Sequence, residues 1–520
     1  MMFINTHSPS SSQRVPWSTY HWLVVLATLL CALLAVADIQ RPSYWVDEKI
    51  SVDIASPASL PEMIHNVIDN ERRPPMYHLS LWLWTRLAGV NERMARLHSV
   101  LWAILFVPAA FQLARRFTGP KAAVWTSFIT ALAPVTIAYG QTIRYYSMVA
   151  TLSALSFALF FAVMRKPQGH KPWLAYFLAT LALLYTDYPA YGVILAQNVL
   201  AILWWVAKPE RTPHHPRWKW LVNQACMALL VLLWLPVVLL QRTRDFGAAD
   251  LSNSLSGALM RIAYPFYAWL AGETIFPWAV LGILGALVGG VLLIIGWLKL
   301  ANRQRLTWLI AFGLPFILSQ ILLSTVATDS PFVNAPARSM ACAGLLFTLE
   351  GAGLAAINRR WISGALAGAI IVSHAGALTN YYRGVDYINT VYNTPAREVA
   401  QEIAAGAHTG DVVISESDSM VDLYLPAELR QTSFYVEQDQ QIKQYLAAHP
   451  QAAIWQVSMG RDRTRNDVSA TLAEWLAAHY TPAGSSGFAE QSSTYRALKS
   501  RLIGRAAYQY RLVLEHYQPK

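Results

Sequence analysis

Residues 74–84 read Pro-Pro-Met-Tyr-His-Leu-Ser-Leu-Trp-Leu-Trp, an apolar run that opens on two prolines and stops short of Arg86. A membrane-crossing helix needs about 20 apolar residues, whereas runs of about 10–14 more often lie in the interface. Read as interfacial, the run leaves about eleven spans: His21–Ala37, Leu97–Ala114, Ala122–Tyr139, Ser147–Met164, Trp173–Tyr185, Tyr191–Ala207, Trp220–Leu240, Phe276–Leu298, Leu306–Thr328, Ser339–Ile357 and Trp361–Leu378. The basic loops Arg115/Arg116/Lys121, Arg165/Lys166/Lys171, Lys208/Arg211/Arg217/Lys219, Lys299/Arg303/Arg305 and Arg359/Arg360 then all fall on one side. Short Lys/Arg-rich loops are cytoplasmic, so the N-terminus is expected there too. Counting the run as a full span would scatter these charges over both sides. The reading of eleven residues therefore sets the topology of the chain.

Composition agrees. Of 520 residues, 55% are hydrophobic and 14% charged, against about 25% charged in an ordinary soluble domain. This excludes disordered, collagen-like and disulfide-scaffold classes and leaves a polytopic membrane helix bundle. The net charge of +11 is accounted for largely by cytoplasmic loops, so no nucleic-acid partner is expected. The polar start at Ser8–Ser12, with one Arg and no small-residue cleavage site after the apolar run, reads as leading into an uncleaved first helix. Cys31, Cys226 and Cys342 each sit in an apolar run and read as small buried residues.

From Asn380 onward the composition becomes more polar. Strands are expected at Asp411–Ser415, Ala452–Val457 and Tyr508–Tyr517, and amphipathic helices at Ala396–Ala405, Gln440–Ala448 and Ser469–His479. The fold class expected is thus mainly α, with a transmembrane domain over residues 1–379 (first outer loop 39–96) and a small extracytoplasmic α/β domain over 380–520.

The segments opposite the basic loops hold the polar residues that composition does not explain. Tyr44-Trp45-Val46-Asp47-Glu48 places two carboxylates just beyond the first span. They read equally as a helix N-terminal cap or as a general base. His78, in the interfacial run, is more often a packing residue than a ligand. Glu92 and Arg96 are spaced for a helical ion pair. Gly140–Tyr146 carries Arg144 among Tyr139, Tyr145 and Tyr146, a fork of donors suited to a lipid phosphate unless the arginine merely snorkels. Asp187, in Tyr185–Pro189, reads first as a turn residue, with a metal ligand or a partner for Arg144 as alternatives. Arg338 opens a late span on the same side, a second candidate phosphate contact. No Walker loop, Rossmann fingerprint, H-E-x-x-H or nucleophile elbow stands in a usable context.

Taken in order, W-x-D-E, P-P-x-Y with its Trp-rich short helix, E-x-x-x-R-L-x-S, R-x-Y, Y-T-x-Y and a late outer Arg resemble the membrane-embedded GT-C glycosyltransferases related to protein O-mannosyltransferases and the lipid A aminoarabinose transferase. The resemblance covers Trp45–Tyr191 well and Arg338–Gly351 loosely. It implies a polyprenyl-phosphate-linked sugar as donor, used on the outer face of a bacterial plasma (inner) membrane. It further implies Asp47 as general base, Glu48 as its orienting partner or a metal ligand, and a donor-phosphate site at Arg144, Tyr145 and Arg338. His78 and Asp187 fall in the acceptor or metal vicinity. Thr142 stands where relatives often carry an acidic residue, and Asp187 where they often carry His. Both positions touch the metal question, and a divalent ion is left open as cofactor. The acceptor is a glycan, lipid or protein hydroxyl. One base without a nucleophile partner implies inversion. The alternatives are a lipid-linked saccharide flippase or transporter, and a polymerase or ligase using a diphosphate-linked donor.

Overall fold

The computed structural model describes residues 17–165, 169–207, 217–242, 255–323, 334–460 and 470–520. Ser8–Ser12, Lys166, Lys208 and Arg211, and the ends of the expected elements Leu306–Thr328 and Ser469–His479, lie outside the described residues.

The helices run α1 Trp17–Val36, α2 Val46–Ala55, α3 Leu60–Asn70, α4 Met76–Ala88, α5 Glu92–Phe117, α6 Pro120–Leu132, α7 Pro134–Gly140, α8 Tyr146–Arg165, α9 Lys171–Leu184, α10 Tyr191–Ala207, α11 Arg217–Leu232, α12 Leu235–Arg242, α13 Leu255–Ala271, α14 Val280–Lys299, α15 Asn302–Leu323, α16 Ala335–Arg338, α17 Ala343–Ala356 and α18 Arg360–Arg383. Among the described residues six helices are long and apolar enough to cross a membrane, and two bent pairs, α6–α7 and α11–α12, raise this to eight. Shorter apolar helices at Tyr20–Val36, Lys171–Leu184 and Met340–Ala356 occupy the other three expected places. Every expected span thus has its helix or bent pair.

α4 has 13 residues, about 20 Å of helix at 1.5 Å per residue, too short to cross. Its start is set by Pro74-Pro75, and the Met76 amide donates to the Tyr185 carbonyl at 2.8 Å. The α6–α7 bend of 53° falls at Ala133–Pro134, where a proline removes a backbone donor and its ring crowds the preceding turn. The bend delivers the chain to Gln141–Tyr145 at the same end of the bundle as α2 and α4. α5 opens on an Asn91 cap that accepts from the Met94 amide at 3.0 Å and closes on Arg115 and Arg116, cations that suit a helix C-terminus. At that far end Lys121 donates to the Ala355 carbonyl at 2.9 Å, joining two of the basic loops.

Two findings differ from the sequence reading. Within the segment 241–275, left between the expected spans Trp220–Leu240 and Phe276–Leu298, α13 forms and buries Tyr264, Ala268 and Trp269 in the main core; Pro265 and Arg261 interrupt what would otherwise be an apolar run. Cys31 and Cys342 are buried, but Cys226 is exposed. α11 lies at the bundle surface, with Leu221, Leu229 and Leu232 also exposed, the apolar outward face expected of a membrane helix.

After α18 come α19 Ala396–Gly406, β1 Val412–Ser415, α20 Ala427–Gln431, β2 Ser433–Tyr435, α21 Asp439–Ala448, β3 Ile454–Met459, α22 Ala470–His479, β4 Tyr480–Glu490, α23 Ser493–Ile503 and β5 Tyr510–Pro519. The sheet order is β2-β1-β3-β5-β4. β1 is parallel to both neighbours, and β5 is antiparallel to β3 and β4. The buried strands β1 and β3 show as apolar runs in the sequence. β4 does not, because its Thr-Pro-Ala-Gly-Ser-Ser-Gly stretch reads as a turn and becomes a strand only by pairing with β5 at the sheet edge.

The sheet layer grips the segment between α1 and α5. The Tyr44 amide donates to the Tyr424 hydroxyl at 2.8 Å. Arg397 donates to Glu92 at 3.0 Å and to the Gln40 carbonyl at 2.6 Å.

Candidate active site

Asp47 and Glu48 occupy the first turn of α2, where the unpaired amides of a helix start favour negative charge. Their surroundings separate them. Glu48 is 2% exposed and fully engaged. Its Oε1 accepts from the Ile143 amide at 2.8 Å, and its Oε2 accepts from Arg96 at 3.2 Å and the Trp45 amide at 3.4 Å. Burial raises its pKa while Arg96 pulls it back. The Asp47 side chain, by contrast, keeps 32% of its surface exposed. Of the two carboxylates, only Asp47 is open to an incoming group.

Arg96 is fully buried. It donates to Glu48, pairs with Glu92 at 3.1 Å, and also reaches the Ile39, Pro42 and Ser43 carbonyls. It ties α5 to the loop that carries Asp47. Removing one partner of a buried pair strands the other charge, at a cost of about 3–5 kcal/mol. Arg96→Ala is therefore expected to lower the thermal unfolding temperature in detergent. An unchanged temperature would show that the loop is anchored elsewhere.

Arg144 projects from the loop between α7 and α8. Its Nη2 lies 3.4 Å from the Asp47 carboxylate, and its Nη1 donates to Ser51 Oγ at 2.9 Å and to Glu71 at 3.3 Å. Glu71, at the end of α3, is the centre of a cluster that the sequence reading did not assemble. It accepts from Arg73 at 2.8 Å, from the Arg72 amide at 2.8 Å and from His78 Nε2 at 3.2 Å. Burial alone would raise its pKa, but Arg73 and Arg144 hold it well below the usual carboxylate range. Arg73 Nε also approaches Asp187 at 3.5 Å, and burial pushes Asp187 up to about 7 despite that neighbour.

Tyr145 joins the arginines. Its ring lies 4.4 Å beneath the Arg73 guanidinium and 5.5 Å from that of Arg144, and its hydroxyl accepts from Arg338 Nη1 at 2.9 Å. Arg73, Arg144 and Arg338, from three distant stretches of chain, thus converge around one phenol. Arg73 is the functional candidate the sequence reading missed. Its signal was present in Arg72-Arg73-Pro74-Pro75, because prolines fix where the following helix starts and hence where the preceding side chains point. His78 is buried, and desolvation pulls its pKa down. It backs Glu71 from inside the cluster.

Among the described residues no group of three His, Cys, Asp or Glu side chains gathers to hold a metal ion. Glu71 and Asp187 are countered by arginines instead. That donor set does not fit a divalent cation.

Residues 72–235 match the dolichyl-phosphate-mannose-protein mannosyltransferase family. The whole fold matches crystal structures of ArnT from Cupriavidus metallidurans. With the undecaprenyl phosphate-bound form the identity is 14% and the TM-score 0.50, and with the apo form 13% and 0.51. Each match covers 96% of this chain and 98% of that one. No curated protein matches the chain. The chain is a multi-pass membrane protein with the GT-C fold of ArnT, the fold type expected from its motif order.

Proposed function

We propose that the protein transfers a sugar from a polyprenyl-phosphate donor to an acceptor hydroxyl, with inversion at the anomeric carbon. The observation that carries this reading is the set of three guanidinium groups around Tyr145 beside the partly exposed carboxylate of Asp47. In this reading Asp47 accepts the proton of the acceptor hydroxyl as its oxygen attacks the anomeric carbon. The C–O bond to the phosphate breaks, and the departing phosphate carries the electron pair into the field of Arg144, Arg73 and Arg338. Polyprenyl phosphate is a good leaving group, so one base with cationic stabilisation suffices. Glu48 acts as a positioning residue, holding the Ile143 amide and so the loop that presents Arg144. Asp187 and His78 complete the buried wall behind Arg73.

The site lies at the end of the bundle away from Arg115, Arg116 and Lys121. This supports an extracytoplasmic site, a cytoplasmic N-terminus and, by analogy with ArnT, the bacterial inner membrane. Residues 1–379 form the membrane unit and 380–520 an extracytoplasmic α/β domain in this reading. The test is to incubate the purified full chain in detergent with a panel of undecaprenyl-phosphate hexoses and pentoses and candidate glycan, lipid and peptide acceptors, following free undecaprenyl phosphate. Release coupled to glycosylated product is expected. Release of the diphosphate would mark a polymerase or ligase, and movement of the intact donor across vesicles without release would mark a transporter.

A further inference from the structure

α23 belongs to the α/β layer by its place in the chain, yet it packs on the membrane bundle. Tyr495 and Ile503 are buried in the same core as the spans, and Leu502 packs against that core. The Tyr495 ring lies 5.3 Å from Phe276, and its hydroxyl donates to the Ile388 carbonyl at 2.7 Å. Phe276 stacks at 4.9 Å on Trp278, which is 40% exposed just before α14. From there α14 presents Val280, Ile283, Leu287, Val291 and Ile294 as one exposed stripe, the face a membrane helix turns to acyl chains. An exposed tryptophan at the head of such a stripe marks the boundary between membrane and water. α23, joined to that point through Phe276, lies at the level of the headgroups.

Its side chains suit that level. The stretch from Gln491 to Arg511 holds Arg496, Lys499, Arg501, Arg505 and Arg511 and neither Asp nor Glu. Orientation does not account for these cations, because α14 leads from this end of the bundle to Lys299, in one of the basic loops at the other end. A cation in the last turn serves a helix end, which accounts for Arg501 alone. Lys499 is turned inward, 4.7 Å from the Tyr508 ring and 6.0 Å from that of Tyr495. Arg501 is exposed, and Arg496 and Arg505 are half-buried. Leu498 is 41% exposed; Leu502 follows it by four residues and Arg501 by three, so all three share one side of the helix. Leucines beside arginines on one flank are the pattern of a helix lying in the interface.

We propose that α23 is an interfacial anchor, with Leu498 and Leu502 entering the acyl boundary of the leaflet on the α/β side and Arg496, Arg501 and Arg505 binding the phosphates of anionic phospholipids. A guanidinium presents a fork of donors that matches a phosphate. The attraction of a cation to an anionic membrane surface fades within a Debye length, so it acts only on charges seated at headgroup level. The face is continuous with the exposed stripe of α14, which makes the bilayer its occupant. Because Tyr495 holds the Ile388 carbonyl, the anchor also ties the membrane surface to the segment that leads into the α/β layer. None of these residues takes part in the phosphate centre at Tyr145, so the anchor stands apart from the proposed reaction.

The test makes two measurements on the full chain. In the first, Cys226→Ser removes the exposed thiol, and a spin label is placed at Leu498→Cys or at Ala497→Cys, in vesicles of phosphatidylcholine with or without phosphatidylglycerol. Relaxation by oxygen is expected to exceed relaxation by an aqueous nickel complex at position 498, with the order reversed at 497. In the second, native mass spectrometry in detergent follows binding of phosphatidylglycerol and of phosphatidylcholine. Arg501→Gln/Arg505→Gln is expected to lose about twentyfold in affinity for phosphatidylglycerol and nothing for phosphatidylcholine, since each cation at a membrane surface contributes about fivefold. Arg501→Lys/Arg505→Lys should retain most of the binding. Arg359→Gln/Arg360→Gln removes the same charge at the other end of the bundle and controls for charge in general. Equal nickel access at 497 and 498, unchanged phosphatidylglycerol affinity in the glutamine pair, or an equal loss in the control pair overturns the anchor. Should the glutamine pair unfold early, Arg501→Gln alone carries the comparison, with about a fivefold loss expected.

Discussion

Asp47→Asn is expected to reduce transfer by about a thousandfold or more, within the usual 10²–10⁴ range for loss of a positioned base, while undecaprenyl phosphate still binds. The substitution keeps the shape of the side chain and its place in the first turn of α2, and removes only the ability to take a proton. It also frees Arg144 of one of two carboxylates, so donor affinity should hold or rise. Single-turnover release of undecaprenyl phosphate, read beside lipid binding by native mass spectrometry, separates the two effects. Normal turnover would remove the base assignment. Glu48→Gln provides the contrast. Glu48 is buried against Arg96 and the Ile143 amide, so its loss should appear first as a lower unfolding temperature.

Arg144→Ala is expected to weaken undecaprenyl phosphate binding by about ten- to a hundredfold. A charge-assisted hydrogen bond to a phosphate contributes on the order of 1.5–3 kcal/mol, and every 1.4 kcal/mol is about tenfold in affinity. Arg144→Lys should recover part of the loss, because it restores the charge but not the planar fork. Arg73→Ala should act in the same direction, since both guanidinium groups share Glu71 and flank the Tyr145 ring. Unchanged affinity in Arg144→Ala, in a variant whose thermal unfolding matches wild type, would end its assignment as a phosphate ligand.

The spans were legible because each is an apolar run bounded by charge, a property of neighbouring residues. The same locality made Asp47, Arg144 and Arg338 visible as charges set apart from the basic loops. It misled at α13, whose apolar run is broken by Arg261 and Pro265 and is stabilised by packing of Tyr264, Ala268 and Trp269 into the bundle core. It was silent on β4, whose hydrogen bonds all lie with β5. Glu71 and Arg73 were in plain view, yet adjacent opposite charges on a loop look like a solvated surface. Only burial, which forces charges to pair, marks them as a cluster.

By itself the sequence determined eleven of the apolar segments, the shortness of α4, the α/β layer that follows the bundle and the order of the motifs. These depend on local hydrophobicity and on steric rules that act within a few residues. The tertiary structure decided which of two adjacent carboxylates is open and that Arg73, Arg144 and Arg338 meet at Tyr145. Residues 73, 144 and 338 are far apart along the chain. Their meeting depends on a proline-induced bend and on the packing of several helices at once, which no local pattern encodes.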